Sequence, residues 1–476
     1  MAMTQRQRTL SMLAIVASIA AALGGYAWFG VFKRGQAEQK AKDEQNTLFS
    51  FKAGDVKEIS VTAKGATTTI ARDGASGWRI TAPIQAPADA LSVNALVDKL
   101  AGLKRLRGVE GGADLSEYGL AKPRITIEVT LAAGGKQKLE VGDDNPYDGT
   151  LFTKTSGGAG VDVCEGALKY PLDKGLFDLR DKNVFAFEDD AVTQLSVVGP
   201  KLSFSLSRKS GSDWSIVTPI QEKADAQRAE QILASLRNLR ATRFSSEQAS
   251  TEELSRFGLD KPAYTVEVTL GKDSVQKTLA IADQKEGGME HVYVKRASDP
   301  WIAEVPSSIV KDLDLTVMDL RDKTVLAFDE KDATGLSFRV GTASFGVDRH
   351  RAKTDAGFAP DAWTLASGGQ PAKKWKCSSL LSTLQNLKGS SIAAEQATAA
   401  QLSGWGLASP AKTVTILGAG GKTIAELDVG KEEGGKLYIK AAASPRVFQI
   451  ESYRLSQIPA TQADLAETPP ATTAKK

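Results

Sequence analysis

The side chains most often used in catalysis are sparse in this sequence, and their spacing builds no recognised catalytic set. The two histidines, His291 and His350, lie outside any HExxH pattern and away from cysteine pairs, which favours surface histidines over a zinc site. The stretch "SIVK" at Ser308–Lys311 fits Ser-x-x-Lys, but we interpret it as a chance match because the other motifs of that constellation are missing. We therefore predict that the protein is not an enzyme and carries no catalytic residue, no metal and no cofactor.

Two loops resemble ligand-binding sequences. "GAGGKT" at 418–423 resembles a phosphate-binding loop, but the first glycine of G-x-x-x-x-G-K-T would fall at Ile416. "AAGGKQK" at 132–138 occupies the same place in an earlier segment, and we interpret both as hairpin turns in which Gly-Gly supplies positive φ. The acidic loop "GDDNPYDG" at 142–149 has oxygens suited to calcium, although a plain loop is favoured.

A charged phrase occurs twice: "DLRDKNVFAFEDD" at 178–190 and "DLRDKTVLAFDEKD" at 319–332. One interpretation is a duplicated catalytic site with paired acidic and basic side chains. The other is a connecting segment between repeated modules. It is favoured because the phrase stands at the two internal boundaries between three similar segments. We expect its arginines to make charge-assisted hydrogen bonds that fix how neighbouring modules meet. The predicted junction residues are Arg180, Asp181, Arg321 and Asp322.

The 476-residue chain is long enough for about three domains, and its composition, 42% hydrophobic and 25% charged, is that of a globular protein. Its 60 basic and 57 acidic residues give a net charge of +3, without the concentrated basic surface that nucleic acid binding needs. Nucleic acid is therefore not a predicted partner. Cys164 and Cys377 are interpreted as separate buried thiols, and a bridge between them stays open if the modules lie outside the cytoplasm.

Residues 9–32 form a stretch of 24 residues without a charge. As a helix this stretch would be about 36 Å long, enough to cross the roughly 30 Å hydrocarbon core of a bilayer. Tyr26 and Trp28 lie near its end, as interfacial aromatics do. An uncleaved transmembrane anchor is favoured over a cleaved signal peptide, whose apolar region would be shorter and would end in a small-x-small site. Basic residues flank both ends, so charge alone does not decide the orientation.

Three segments repeat one pattern, opening with "LFSF" at 48, "VFAF" at 184 and "VLAF" at 325. Each continues with a β-like stretch, reaches a tryptophan after a turn, and then has apolar residues at i, i+1, i+4 and i+7, on one face of a helix. Asp89 and Asp225 are predicted N-caps of that helix in the first two copies. The apolar faces consist of Leu96, Val97, Leu100 and Leu103, then Ile232, Leu233, Leu236 and Leu239, then Leu380, Leu381, Leu384 and Leu387.

An aromatic-Gly-Leu-x-x-Pro signature follows the helix in each copy: "YGLAKP", "FGLDKP" and "WGLASP". We interpret it as structural, because Gly adopts positive φ where a short helix ends and Pro enforces an extended entry into a strand. Alternating strands and hairpins, such as "RITIEVTL", complete each unit, so the predicted fold class is α+β. The repeat-signature residues are Trp78, Gly119, Pro123, Trp214, Gly258, Pro262, Trp363, Gly406 and Pro410.

The predicted organisation is a transmembrane helix followed by three tandem α+β modules, each with antiparallel strands and one main helix. The predicted segments are an N-terminal tail at 1–8, the transmembrane helix at 9–32, a tether at 33–47, module 1 at 48–183, module 2 at 184–324, module 3 at 325–459 and a disordered Pro/Thr-rich tail at 460–476.

The combination of "WRITAPIQ", the leucine-rich helix, "YGLAKP", the Val141-Gly142 pair and "LRDK" resembles the bacterial "domain of unknown function 4340" family, in three copies over about 48–459. The third copy departs from the pattern because it lacks the first proline and LRDK, and the second has Ala282 where the first has Gly142. The resemblance implies a membrane-anchored envelope protein of the kind often encoded beside ABC-transporter components and gliding-motility-type auxiliary subunits. It implies neither catalytic residues nor a substrate.

We therefore expect a non-enzymatic, single-pass protein of the bacterial inner membrane with its modules in the periplasm. Its expected role is that of a scaffold or accessory subunit of a membrane complex of ABC-transporter type, with permease and ATPase subunits as partners. Two alternatives stay open. One is a periplasmic module that binds glycan or peptidoglycan, with Trp301, Trp375 or the acidic loops lining a groove; the other is an enzyme of unrecognised type.

Overall fold

The computed structural model of the protein describes residues 18, 26, 28, 45–74, 77–109, 114–158, 160–271, 273–350, 353–354, 357–358 and 361–467. Nearly all of the predicted membrane helix at 9–32 and of the tether at 33–47 lies outside these residues. Within the described ranges, no helix combines the length and the apolar character needed to span a bilayer.

An antiparallel sheet of nine strands forms the first module. Its strands are β1 (Val56–Ala63), β2 (Ala66–Asp73), β3 (Gly77–Ala82), β4 (Ala86–Pro87), β5 (Arg107–Gly108), β6 (Ile125–Leu131), β7 (Lys136–Asp144), β8 (Leu151–Thr155) and β9 (Asp162–Cys164). The strand order is β4-β3-β2-β1-β6-β7-β8-β9-β5. The helices of this module are α1 (Ala90–Ala101), α2 (Lys169–Leu172) and α3 (Leu176–Leu179).

The second module has the same succession of strands. They are β10 (Val192–Val198), β11 (Phe204–Arg208), β12 (Trp214–Thr218), β13 (Glu222–Lys223), β14 (Arg243–Ser246), β15 (Tyr264–Leu270), β16 (Val275–Glu286), β17 (Met289–Arg296) and β18 (Ile302–Val305). The order β13-β12-β11-β10-β15-β16 matches β4-β3-β2-β1-β6-β7, and β17-β18-β14 matches β8-β9-β5. The helices are α4 (Ala226–Arg237), α5 (Thr251–Arg256), α6 (Ser308–Leu313) and α7 (Val317–Leu320).

The third module keeps the same plan in a sheet of eight strands. Its strands are β19 (Gly335–Val340), β20 (Ala343–His350), β21 (Lys353–Thr354), β22 (Gly357–Phe358), β23 (Ala362–Leu365), β24 (Ser391–Ala394), β25 (Lys412–Leu417), β26 (Thr423–Glu433), β27 (Lys436–Ala441) and β28 (Val447–Glu451). The order is β23-β20-β19-β25-β26-β27-β28-β24, and β21 and β22 form a separate two-stranded ribbon. The helices are α8 (Lys374–Gln385) and α9 (Ala399–Gly404).

The chain divides into two compact units, which do not coincide with the three modules. The first unit comprises 1–186, 238–256 and 285–306, and the second comprises 187–237, 257–284 and 307–476. The first unit holds the first sheet with β14, β17 and β18, and the second holds the third sheet with most of the other strands of module 2. Each large sheet lies within one predicted module, so the prediction of tandem, mainly antiparallel α+β modules is confirmed.

The core of each module contains the predicted apolar face of its main helix. Leu96, Val97 and Leu100 of α1 are at most 1% exposed and share one apolar cluster with sheet residues such as Ile59 and Val129. The four predicted leucines of the third copy, Leu380, Leu381, Leu384 and Leu387, are all 0% exposed. Because full burial of one such side chain contributes about 1.5–3 kcal/mol, each helix is held mainly by this stripe.

A buried tryptophan connects the sheet to the main helix in every module. Trp78, Trp214 and Trp363 are 3%, 0% and 3% exposed, and each donates its indole N–H to a polar side chain of that helix. The acceptors are Asn94 at 2.7 Å, Glu230 at 2.8 Å and Ser378 at 3.2 Å. A buried indole N–H needs an acceptor, so this hydrogen bond accounts structurally for the repeated tryptophan.

The Gly-Leu-x-x-Pro turns have the conformation that the sequence predicts. Gly119, Gly258 and Gly406 have φ of 67°, 69° and 69°, in the left-handed region that favours glycine. At Gly119 this conformation ends the short 3-10 helix Leu115–Tyr118. The leucine that follows each glycine is at most 7% exposed and packs beside the turn.

The prediction of a disordered tail at 460–476 is wrong for the first residues of that segment. Residues 462–464 form a 3-10 helix, and Leu465 is 0% exposed within the core cluster of module 3. Composition suggested disorder because the segment is rich in small polar residues, but buried Leu465 and backbone hydrogen bonds to Pro371 and Lys373 hold it on the module. Residues 468–476 lie outside the described residues.

Several other sequence interpretations are confirmed. Gly134 and Gly135, and likewise Gly420 and Gly421, have positive φ in turns between adjacent antiparallel strands. Both cysteines are free, buried thiols, and burial raises the pKa of each to about 11.

Candidate functional site

The two copies of the charged phrase form the same connector at the ends of modules 1 and 2. Each begins with a short helix, α3 or α7, whose third-position aspartate accepts a hydrogen bond from the backbone N–H before the helix. Asp178 accepts from Gly175 at 2.9 Å, and Asp319 accepts from Thr316 at 2.8 Å. Burial would raise the pKa of both carboxyls, but these hydrogen bonds, with Lys64 donating to Asp178, hold the pKa of each below its ordinary value.

The connector is hydrogen-bonded to the module that it leaves. Leu179 O accepts from the backbone N–H of Asp89, and Leu320 O accepts from that of Asp225, both at 2.8 Å. Asp89 and Asp225 also cap the main helices, accepting from Ser92 N at 2.9 Å and Arg228 N at 3.2 Å, as predicted. The connector therefore lies against the start of the main helix.

The connector is also hydrogen-bonded to the module that it enters. Lys182 O accepts from Ala241 N, and Lys323 O accepts from Gly389 N, both at 2.8 Å. These partners lie just after the main helix of the following module. One segment of backbone thus joins the start of one main helix to the end of the next.

At the first junction, Arg180 is 4% exposed and contacts both a carboxylate and an aromatic ring of module 2. Its Nη1 donates to Glu247 Oε1 at 2.6 Å. Its guanidinium carbon lies 3.3 Å from the centre of the Phe244 ring, and Phe244 packs edge-on against Trp301, with 5.5 Å between ring centres. Arginine suits such a site, since its planar cation can stack and donate at once.

At the second junction, Arg321 belongs to a network of four charges. Its Nε and Nη2 donate to the two oxygens of Glu222, each at 2.9 Å, and its Nη1 lies 2.6 Å from Glu395 Oε1. Arg446 contacts the same two carboxylates at 3.0 and 2.8 Å. Arg321 holds the pKa of Glu395 below its ordinary value, and Glu395 in turn raises the pKa of Arg321.

A second ion pair recurs at both junctions. The N-cap Asp89 lies 3.3 Å from Arg240 of the following module, and the N-cap Asp225 lies 2.8 Å from Lys388. Because Arg240 and Lys388 occupy equivalent positions after the main helix, the same carboxylate both caps a helix and contacts the next module.

The other predicted junction residues, Asp181 and Asp322, close local turns. Asp181 accepts from Asn183 N and Asp322 accepts from Thr324 N, both at 2.9 Å. Sequence reasoning named the arginines of the junctions but missed their acceptors. A signal for two of them was present, because "EQ" recurs at Glu247 and Glu395 at the same offset after the main helix.

A third copy of the connector lies at the end of module 3, where the sequence analysis expected none. Asp464 accepts from Thr461 N at 2.9 Å, as Asp178 does from Gly175 N. Leu465 O accepts from Lys373 N at 2.7 Å, in the manner of Leu179 and Asp89. The side chains differ: Ala466 stands at the position of the junction arginines, and Lys373 stands at that of the N-cap aspartates.

The other candidate residues are engaged in local contacts or lie apart. Trp301 is 8% exposed, whereas Trp375 is 70% exposed at the start of α8. In the acidic loop, Asp144 contacts Arg124 and Lys169, each at 3.0 Å, and these contacts hold its pKa below the ordinary value. His291 lies 2.7 Å from Glu304. In the part of the chain that the structure describes, no group of three or more His, Cys, Asp or Glu is arranged to hold a metal ion.

The fold and its junctions define a tandem-repeat protein made of three α+β modules with charged connectors. A family model, Domain of unknown function (DUF4340), matches residues 78–251, 214–356 and 363–475, well over half of the chain. The chain belongs to this family, and the resemblance expected from its sequence, in three copies, is confirmed. Comparison with curated proteins and with solved structures gives no match.

Proposed function

We propose that the protein is a non-enzymatic scaffold, anchored in the bacterial inner membrane by residues 9–32 with its modules in the periplasm. Its role is that of an accessory subunit in a membrane complex of ABC-transporter type. The observation that carries the proposal is the repeated junction. Its recurring arginines, Arg180 and Arg321, are buried against carboxylates of the next module.

The chemistry of the junctions supports a structural role for these charges. Charge-assisted and bidentate hydrogen bonds are strong and directional, so they fix the geometry of the groups that they join. We infer that these buried ionic groups set the register between modules more than they add net stability, because desolvation offsets much of the attraction within a buried ion pair. A protein that repeats one module and joins the copies by one kind of connector is suited to presenting several surfaces at once, as an accessory subunit must.

Cross-linking in native membranes tests the proposal. A photoactivatable residue is placed at one exposed position in each module of the full-length protein, replacing Tyr147, Met289 or Tyr453, which are 96%, 64% and 73% exposed. Adducts are purified from gently solubilised membranes and identified by mass spectrometry. We expect at least one position to capture a permease or ATPase subunit of a transporter.

A matched variant carries the same photoactivatable residue at the position of the 0% exposed Trp214 and controls for non-specific capture. Recovery of the same partners from this variant, or of the protein alone from all three exposed positions, would overturn the accessory role. Fractionation of cells that express chains with and without residues 9–32 tests the anchor separately. Equal recovery of both chains in the soluble fraction would contradict it.

A further inference from the structure

A cavity of about 870 Å³ in module 1 is lined mainly by polar residues. It lies beside the start of the described chain, at the end of the sheet formed by β8 and β9. Its polar lining includes Gln45, Arg105, Lys136, Gln137, Thr155 and Asp162. Cavities of this size are large enough for small ligands.

Asp162 is the most unusual residue of this cavity. It is only 6% exposed, yet its single ion pair, between Oδ1 and Arg105 Nη1, is long at 3.5 Å, and Arg105 is 43% exposed. Among the described residues, no hydrogen bond to Asp162 Oδ2 is present. Burial raises the pKa of this carboxyl despite the nearby arginine. Oδ2 is not among the fully buried atoms that lack a partner, so it faces the cavity, where a ligand that donates a hydrogen bond can reach it.

The repeats show that the fold does not need a charge here. Asp162 pairs across the sheet with Thr153, and the equivalent pairs are Ala303 with Val294 and Phe448 with Ile439. Modules 2 and 3 thus fill this position with apolar side chains. The polar pair of module 1 is a departure from the shared core, and packing does not explain it.

The arginine departs from the repeat in the same way. The backbone N–H of Arg105 donates to Asn46 O, and the equivalent donors in modules 2 and 3 are Ala241 and Gly389. In module 3 the Phe448 ring occupies the space over Gly389, where an added Cβ would lie 2.4 Å from the ring. The space that the Phe448 ring fills in module 3 is therefore lined in module 1 by the Asp162 carboxylate and the Arg105 guanidinium.

We propose that this cavity is a binding site for a saccharide. Each charged side chain of the lining has a partner of opposite charge: Asp162 pairs with Arg105, and Lys136 pairs with Glu128 at 2.6 Å. This balance favours a neutral ligand over an anion or a cation. A hydroxyl group both donates, as Asp162 Oδ2 requires, and accepts, as the Arg105 N–H groups require. The amides of Gln45 and Gln137 add donors and acceptors, and Leu48 and Phe49 provide apolar surface for sugar C–H groups.

Saturation-transfer NMR of the full-length protein in lipid nanodiscs tests the site, with maltose, cellobiose and N,N′-diacetylchitobiose as probes. Ethylenediamine and inorganic phosphate are the cationic and anionic probes. We expect at least one disaccharide to bind and the two ions not to bind. Asp162→Ala and Arg105→Ala, which introduce the residues of module 2, should each weaken that binding at least tenfold.

Asp148→Ala is the matched control, because Asp148 also pairs with an arginine at 3.5 Å in module 1 but lies outside the cavity. It should leave disaccharide binding unchanged. Asp162→Ala should leave the thermal midpoint unchanged or higher, as the apolar equivalents in modules 2 and 3 indicate. The proposal is overturned if no disaccharide binds, if ethylenediamine binds in their place, or if Asp162→Ala lowers the midpoint as the loss of a structural ion pair would.

Discussion

The two junctions have the same backbone but different chemistry. The first places Arg180 on the face of Phe244, with one carboxylate from Glu247. The second surrounds Arg321 with Glu222 and Glu395 and adds a further arginine. The recurring phrase therefore supplies a general connector, and the residues that receive its arginine determine how each junction is held.

The difference follows from three positions. Trp301 of module 2 and Arg446 of module 3 are equivalent, as are Phe244 and Ile392. Two aromatic side chains at the first junction provide a face for the cation, worth about 0.5–2 kcal/mol for a stacked arginine. At the second junction Arg446 adds a second cation and Glu222 a second carboxylate, and each arginine contacts both carboxylates. The first junction is expected to depend on packing and the second on charge.

The largest expected effect is that of Arg321→Ala. It leaves Glu222 and Glu395 with Arg446 alone, so two carboxylates face one cation. We expect a loss on the order of 2 kcal/mol in the stability of the contact between modules 2 and 3, reduced from the figure for a fully buried pair because Glu395 is 53% exposed. Hydrogen exchange measures this loss at two amides: that of Gly389, which donates to Lys323 O across the junction, and that of Val325, which donates to Leu387 O at the start of module 3.

Arg321→Lys is the matched control, since it keeps the charge but lacks the planar fork, in which two nitrogens contact Glu222 while a third contacts Glu395. It should recover part of the protection, not all of it. Equal protection of these amides in the alanine variant and the unchanged protein would show that the backbone alone holds the junction.

An apolar replacement of each arginine sharpens the comparison. Arg180→Met retains a long side chain against Phe244, and Glu247, at 41% exposed, can return to solvent. We expect the free energy of unfolding of this variant to fall by roughly 1 kcal/mol or less, because most of the packing at the first junction survives. Arg321→Met should lower the free energy of unfolding by more, since it leaves Glu222 and Glu395 with Arg446 as their shared cation. Urea unfolding of both variants compares them, and equal losses would remove the distinction between packing and charge.

Acid should weaken the second junction. Arg321 and Arg446 hold the pKa of Glu395 below its ordinary value of 4.5 in the folded protein. Its contribution is therefore complete above pH 4.5 and is lost as the pH falls through the lowered folded pKa. Protection of the Gly389 amide, measured between pH 6 and pH 3 and corrected for intrinsic exchange, should fall. It should fall less in Glu395→Gln, which no longer titrates.

The module fold was predictable from sequence because its signals occur three times. A helix face such as Leu380, Leu381 and Leu384 recurs with the same spacing, and comparison of copies separates it from chance. The third connector was missed because only Asp464 and Leu465 keep the pattern, within a segment of polar composition. In this third connector the junction arginine and the N-cap aspartate are replaced, and the capping carboxylate and the buried leucine are retained.

The parts of the site that occur once were not predictable. Glu222 and Arg446 have no counterparts of the same charge in the other copies, so comparison of repeats does not reveal them. Asp162 lies in a short strand where a polar residue ordinarily indicates an outward side chain. Its burial depends on pairing with β8, the strand before it, and on Arg105, which lies 57 residues earlier in the chain. Contacts of this kind depend on tertiary arrangement that a local pattern does not encode.

The smallest expected effect concerns the N-cap aspartates. Asp89→Asn and Asp225→Asn keep the helix caps, because asparagine caps about as well as aspartate, and remove only the ion pairs with the next module. Partly exposed pairs of this kind contribute about 0.2–1 kcal/mol. Asp225→Asn should cost more than Asp89→Asn, since the contact with Lys388 is 2.8 Å and that with Arg240 is 3.3 Å. Urea unfolding at low and high salt measures both. A difference that persists at 1 M salt would mean that the cap, not the charge, distinguishes the two junctions.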